Sequence, residues 1–344
     1  MKRFSLAWIA GLLLLTTIPA TAQRYAARRD GDIVHLTDTA TDTRVSIAPS
    51  IGNIAFRMIV KGHDILRWPH ADMAAFKANP NMTGVPFMGP WINRLDEQAF
   101  YANGKRYPFD MTLGNVRGDI PIHGFLTSTS EWRVVSVDAG SSGATVTSRL
   151  EFFRHPSWMK QWPFAHSIDM TYRLSDGTLE VETMIANMSA EPMPVSIGFH
   201  PYFQLTDSPR DEWTISLGAR THWKLMPSKL PTGETEPIGA PFTGGVPLRD
   251  YDIDDDFSDL VRDARGRATM TVNGQSQRLD VMFGPHYRAA VVWAPKGREF
   301  ICFEPMAAMT NALNLTQKGL YKELQSITPG GTWRESFWIA ARGF

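Results

Sequence analysis

"SIDMTYRLSDGTLEVETMI", Ser167 to Ile185, alternates apolar and polar residues on both sides of an Asp-Gly pair. Ile168, Met170, Tyr172 and Leu174 fall at every second position, Asp176-Gly177 interrupts, and Leu179, Val181 and Thr183 resume the pattern. Side chains on a strand point to alternate faces, and Asp-Gly suits the two-residue turn whose twist matches its flanking strands. The stretch therefore predicts a hairpin with one face buried.

The same period of two recurs in "TRVSIAPSIGNIAFRMIVKGHDILRW", "TVTSRLEFF", "WTISLGA", "RLDVMF", "YRAAVVWAP", "EFICFEP" and "ESFWIAARGF". These runs extend from about residue 30 to the C-terminus, and helical period is nearly absent. One short helix is expected around "PHADMAAFKANP". No internal repeat, low-complexity linker or sharp change of composition divides the chain. The pattern predicts an all-β fold, one large antiparallel β-sandwich with long loops, as a single domain over residues 23–344. Its 11 tryptophans and 19 phenylalanines suit thick packing between sheets.

Composition narrows the function classes. The 35 basic residues balance 35 acidic ones without a basic run, which argues against a nucleic-acid partner. Residues 1–22 read as a secretory signal peptide: Lys2 and Arg3, then an apolar core, then Ala20-x-Ala22 before Gln23. That core is shorter than the roughly 20 residues a membrane span needs. The mature protein is expected to be soluble and exported, periplasmic or extracellular. A single cysteine, Cys302, leaves no intramolecular disulfide, and a chain this long can bury enough core without one.

Five stretches carry candidate chemistry. In "SIGFHPYFQL", Val195, Ile197, Phe199 and Phe203 form a core face, while Ser196, Gly198, His200 and Tyr202 form the other. Gly198 is expected to leave open space on the His200 face. Pro201, which cannot donate to a ladder, marks a strand edge or end and holds His200 extended. The alternative is a core histidine bonded to a neighbouring carbonyl. In "REFICFEPM", Glu304 shares a face with Phe300 and Cys302, and desolvation there should raise its pKa toward what a general base needs. "PIHGFL" offers His123 and "GPWINRL" offers Asn93 and Arg94. "YDIDDDFSDL" invites a calcium reading, but it lacks the glycine turn and the closing bidentate glutamate. Dispersed histidines and one cysteine disfavour zinc, and no nucleophile elbow, dinucleotide fingerprint or phosphate loop occurs. No metal or cofactor is expected.

Taken together, "NRL", "F-x-x-NGKRYPF", "IHGF", "GFHPYFQL", "DDDF" and "FEPMAAMTNALNL" resemble the aldose 1-epimerase (galactose mutarotase) family, in that family's order. The resemblance implies a large antiparallel β-supersandwich (galactose mutarotase-like) that interconverts the α and β anomers of a free aldose by ring opening. It implies Glu304 as general base and His200 as the acid that protonates the ring oxygen. His123 and Arg94, with Asn93 beside it, would bind the sugar. An aspartate three residues before Phe257 selects Asp254 as a hydroxyl ligand, with Asp255 left open as the alternative. Trp91, Tyr202 and Phe125 are aromatics near these motifs. The chain departs from the better-known galactose-type enzymes at His123-Gly124-Phe125, where they carry His-Gly-Gly, and at Phe199-His200, where they carry Asn-His. No preference for galactose or glucose follows.

Overall fold

The structure, a computed structural model, describes residues 23–112 and 116–344. The segment read as a signal peptide lies outside the described residues. The hairpin forms as expected: His166–Ser175 pairs antiparallel with Thr178–Asn187, from Ser175↔Thr178 out to His166↔Asn187. Asp176 (φ 48°) and Gly177 (φ 68°) are both left-handed, the signature of the tight turn that Asp-Gly favours. Ile168, Met170, Tyr172, Leu174, Leu179, Val181, Thr183 and Ile185 are all buried.

This hairpin sits within a nine-stranded sheet. Its order is Arg133–Gly140, Gly143–Glu151, the two hairpin strands, Thr332–Arg342, Arg278–Phe283, Ala268–Asn273, Thr214–Leu217 and Thr243–Pro247. A seven-stranded sheet runs Pro231–Pro237, Ala219–Leu225, Ile253–Leu260, Ala289–Ala294, Cys302–Met306, Gly198–Phe199 and Phe87–Met88. A five-stranded meander runs from Tyr25 to Asp64, and three two-stranded sheets are added by the pairs Ala99–Ala102 with Lys105–Pro108, Val116–Arg117 with Ile120–Pro121, and Met193–Val195 with Gln325–Ile327. Nearly every pairing is antiparallel, so the fold is the expected supersandwich.

The described helices are short: α1 (Met73–Ala78), α2 (Pro156–Gln161) and α3 (Ala312–Gln317). The first is the helix expected in "PHADMAAFKANP", capped by Asp72, whose carboxylate accepts from the Ala75 amide at 2.8 Å. No described helix is long and apolar enough to cross a membrane.

Apolar side chains from both large sheets merge into one core that includes Val195, Ile197, Phe199, Phe203, Phe257, Ile301 and Phe303. Alternation then sends the intervening residues of the seven-stranded sheet to its other face. There Tyr202, Phe300 and Cys302 pack together, and α3 covers Val291 and Met306 in a separate cluster.

Candidate active site

The far face of the seven-stranded sheet carries a cavity of about 430 Å³. Glu304, His200, His123, Arg94, Asn93 and Asp254 all line it. Sheet register explains two of them, Asp254 and Glu304. Asp254 pairs with Trp293 and Trp293 with Cys302; one step along, Asp256 pairs with Val291 and Val291 with Glu304. Residues opposite one another share a face, so Asp254, Asp256, Trp293 and Glu304 all point the same way. Asp255 points to the opposite face, where its carboxylate meets His222 Nε2 at 3.2 Å. The register thus places Asp254, and not Asp255, in the cavity. The acidic run does not converge on a cation: Asp252 accepts from the Lys296 amide, and Asp254 and Asp255 diverge.

His200 follows the two-residue strand Gly198–Phe199 and is held by its backbone N–H to the Pro86 carbonyl at 3.0 Å. Its ring lies parallel to that of Tyr202 at 4.7 Å and meets the edges of His123 and Trp293. His200 Nε2 stands 3.2 Å from Glu304 Oε1. The expectation of open space at Gly198 is corrected here. A Cβ on Gly198 would lie 2.7 Å from the Pro305 carbonyl oxygen and 3.0 Å from Ile92 Cγ2. Glycine is required because the Glu304 strand presses against it, and the space in front of His200 is formed by loops instead.

Those loops carry the remaining groups. Asn93 (φ 41°) and His123 (φ 60°) both sit in left-handed backbone and are tied together by the His123 amide donating to the Asn93 carbonyl at 2.9 Å. Arg94 bridges to Ile122, and its Nη1 donates to Asn93 Oδ1 at 2.9 Å. Its Nη2 faces Asp254 Oδ2 at 3.5 Å, a charge pair too long for a firm hydrogen bond. Asn93 therefore already spends its carboxamide oxygen on orienting Arg94. Gly124 (φ 60°) passes so close to Gly89 that a Cβ would collide with its carbonyl, which fixes the loop holding His123.

Burial governs the electrostatics. Desolvation pushes Glu304 well above its ordinary range; Asp254 and Asp256 push the same way and Arg94 opposes. Desolvation pushes His200 down to about 3 and His123 well below the usual imidazole value. Asp256, fully buried, is pushed up to about 7, mainly by desolvation, although Thr310 donates to it. The same burial thus favours the neutral form of both groups, the imidazole and the carboxyl, a pairing that can share one movable proton. Glu304 Oε2, His200 Nδ1 and His123 Nδ1 have no hydrogen-bond partner among the described residues.

The structure brings together every site residue the sequence suggested, except the alternative Asp255. Of the three aromatics, only Tyr202 lines the cavity; Trp91 stacks on Phe109, and Phe125 packs against Trp91 and Phe152. Sequence reasoning passed over Trp293 and Met82, which are among its apolar lining residues. The alternation in "YRAAVVWAP" held the signal for Trp293, which its pairing with Asp254 makes explicit.

Comparison with known proteins bears on the family and the fold. A family model described as aldose 1-epimerase matches residues 57–340. A solved galactose mutarotase-like protein from Clostridium acetobutylicum is 22% identical, with a TM-score of 0.81 over 93% of this chain and 98% of that one. A Synechocystis sp. PCC 6803 protein is 24% identical, with a TM-score of 0.71 over 96% and 100%. An aldose epimerase homologue from C. elegans is 16% identical, with a TM-score of 0.68 over 88% and 96%. These structural likenesses speak for the fold.

Proposed function

The chain belongs to the aldose 1-epimerase family, and from that premise we propose that it interconverts the α and β anomers of a free aldose by acid/base-catalysed ring opening. The observation that carries the proposal is the 3.2 Å approach of His200 Nε2 to Glu304 Oε1 inside a cavity large enough for a sugar.

A proton moved from Glu304 to His200 turns the neutral pair into a carboxylate and an imidazolium without changing its net charge. Glu304 then takes the proton of the C1 hydroxyl, and the C1–O5 bond breaks to give the aldehyde. His200 delivers its proton to O5. Rotation about C1–C2 presents the other carbonyl face, and the same transfers in reverse close the ring as the opposite anomer. Each proton transfer of this kind contributes typically 10²–10⁴-fold. Arg94 and Asp254, held 3.5 Å apart, would receive ring hydroxyls between them. His123 would bind near the reacting end, and Trp293 would offer an apolar surface to the sugar's C–H face. We also propose that residues 1–22 direct export and are removed after Ala22, which N-terminal sequencing of the exported protein would check.

The test is optical rotation of freshly dissolved α-anomers across a panel of aldoses. Wild-type protein should speed the drift to equilibrium well beyond the spontaneous rate for at least one sugar, and Glu304→Gln should abolish that gain. A rate equal to the spontaneous one with every aldose would remove the proposal.

A further inference from the structure

The motif "TNALN", residues 310–314, follows Glu304 closely, yet none of its side chains lines the cavity. Thr310, Asn311 and Asn314 are nonetheless almost wholly buried, at 0, 1 and 0% exposure. A buried polar side chain away from the chemistry needs its partners explained, and here the partners lie on other site-bearing segments.

Thr310 Oγ1 donates to Asp256 Oδ1 at 2.9 Å. Asp256 lies two residues beyond Asp254 on the same face of the Ile253–Leu260 strand. Asn311, left-handed at φ 61° at the head of α3, accepts the Asp96 backbone N–H on its Oδ1 at 3.2 Å. Asn314 Nδ2 donates to Asp96 Oδ1 at 2.8 Å and to the Ala99 carbonyl at 3.1 Å. Lys318 pairs with the other oxygen of Asp96. Asp96 is two residues beyond Arg94, and its loop reaches His123 through the Asn93 carbonyl.

One short segment therefore holds both halves of the Arg94–Asp254 pair. Thr310 ties down the Asp256 side chain beside Asp254, on a strand the sheet already pairs on both sides, and Asn311 with Asn314 fix the arginine loop, while the segment itself continues from the strand that carries Glu304. The pair does not fix itself, because 3.5 Å is too long for a firm direct bond. We propose that Thr310, Asn311 and Asn314 are positioning residues that set the separation of Arg94 from Asp254, and with it the fit of the sugar's hydroxyls. The inference rests on the epimerase reading for what occupies the gap, but not for the gap itself.

The same segment affects Glu304 less, since the sheet on both sides fixes that residue through the Val291↔Glu304 and Gly198↔Met306 pairings. Loss of the clamp should thus fall on binding that is equal in ground and transition states, which raises KM and spares kcat. A purely structural role would lower the amount of folded enzyme and leave KM unchanged.

The experiment compares Thr310→Val, which keeps the side chain's shape and loses its hydroxyl, with Thr310→Ser, which keeps the hydroxyl. Crystal structures of both should show the Arg94–Asp254 separation changed from 3.5 Å in the valine variant and restored in the serine variant. On the sugar that wild type turns over fastest, Thr310→Val should raise KM about tenfold with kcat nearly unchanged, and Thr310→Ser should return KM to wild type. An unchanged separation in a folded Thr310→Val protein would overturn the proposal, and so would an unchanged KM. If wild type proves inactive on every aldose, the functional reading fails, and the crystallographic separation alone decides the clamp. Asn314→Leu tests the arginine side in the same way.

Discussion

Glu304 Oε1 and His200 Nε2 stand 3.2 Å apart at the floor of the cavity, and the two residues are pushed in opposite directions by the same burial. Desolvation raises the carboxyl and lowers the imidazole to about 3, so burial favours a single proton on the pair. One proton on two groups is the stoichiometry that the proposed reaction needs in either direction.

The pH profile of kcat follows from this. Activity should form a broad plateau across neutrality, falling on the acid side when the pair gains a second proton and on the alkaline side when it loses its only one. Asp254 is among the charges that raise Glu304. Asp254→Asn removes that charge, so the proton leaves at lower pH and the alkaline limb should move down. A limb that stays in place or moves up, read from kcat against pH, would contradict the coupling.

Gly198 offers a packing test. Its Cα faces the Pro305 carbonyl so closely that an added methyl would lie 2.7 Å from the oxygen, beside Glu304. Gly198→Ala should lower stability by about 1–3 kcal/mol through overpacking. It should also push the Glu304 strand away from His200 and lower kcat by roughly tenfold to a hundredfold, since small displacements of paired groups are costly. Denaturant unfolding and initial rates check the two effects separately, and an alanine variant with wild-type kcat would show that the close contact does not set the catalytic distance.

Much of this arrangement could be read before the fold was known, because alternation is a strong signal wherever strands are long. The Ser167–Ile185 hairpin came from period two with the Asp176-Gly177 turn, and the two faces around His200 and Glu304 came from period two. The misreading at Gly198 had a definite cause: a missing side chain marks either a void or a close neighbour, and only the pairing of Gly198 with Met306 distinguishes them. The choice between Asp254 and Asp255 likewise depended on register against Trp293. The ties from Thr310 to Asp256 and from Asn314 to Asp96 join segments distant in the chain, and no local pattern encodes them.

His166 gives a prediction about stability away from the site. It is buried, stacked on Phe152 at 4.2 Å, with Nδ1 2.7 Å from the Phe164 carbonyl, and desolvation lowers it to about 4. In the unfolded chain an imidazole titrates near 6.5. Between those values the unfolded state binds more protons, so the stability present above pH 6.5 is lost as pH falls toward 4, by about 1.4 kcal/mol per pH unit. Asp256, raised to about 7, acts in the opposite sense, because its folded form holds the extra proton below that pH. His166→Phe should leave the Asp256 contribution in place and flatten the acid side of the unfolding free energy between pH 4 and 6.5. It should cost about 1–3 kcal/mol throughout for the unpaired Phe164 carbonyl. An unchanged pH slope would show that His166 is charged in the folded protein.

If Glu304 and His200 together open and close an aldose ring, the two anomers exchange at equilibrium in the protein's presence, and that exchange can be watched directly. Two-dimensional exchange NMR on equilibrated glucose and galactose, extended to other aldoses, reports the α-to-β rate with no net reaction to follow. With wild-type protein the account predicts anomeric exchange cross-peaks for at least one sugar, absent with Glu304→Gln and with His200→Asn although both variants remain folded. Cross-peaks that persist in both variants, or that never appear with wild type, would contradict it.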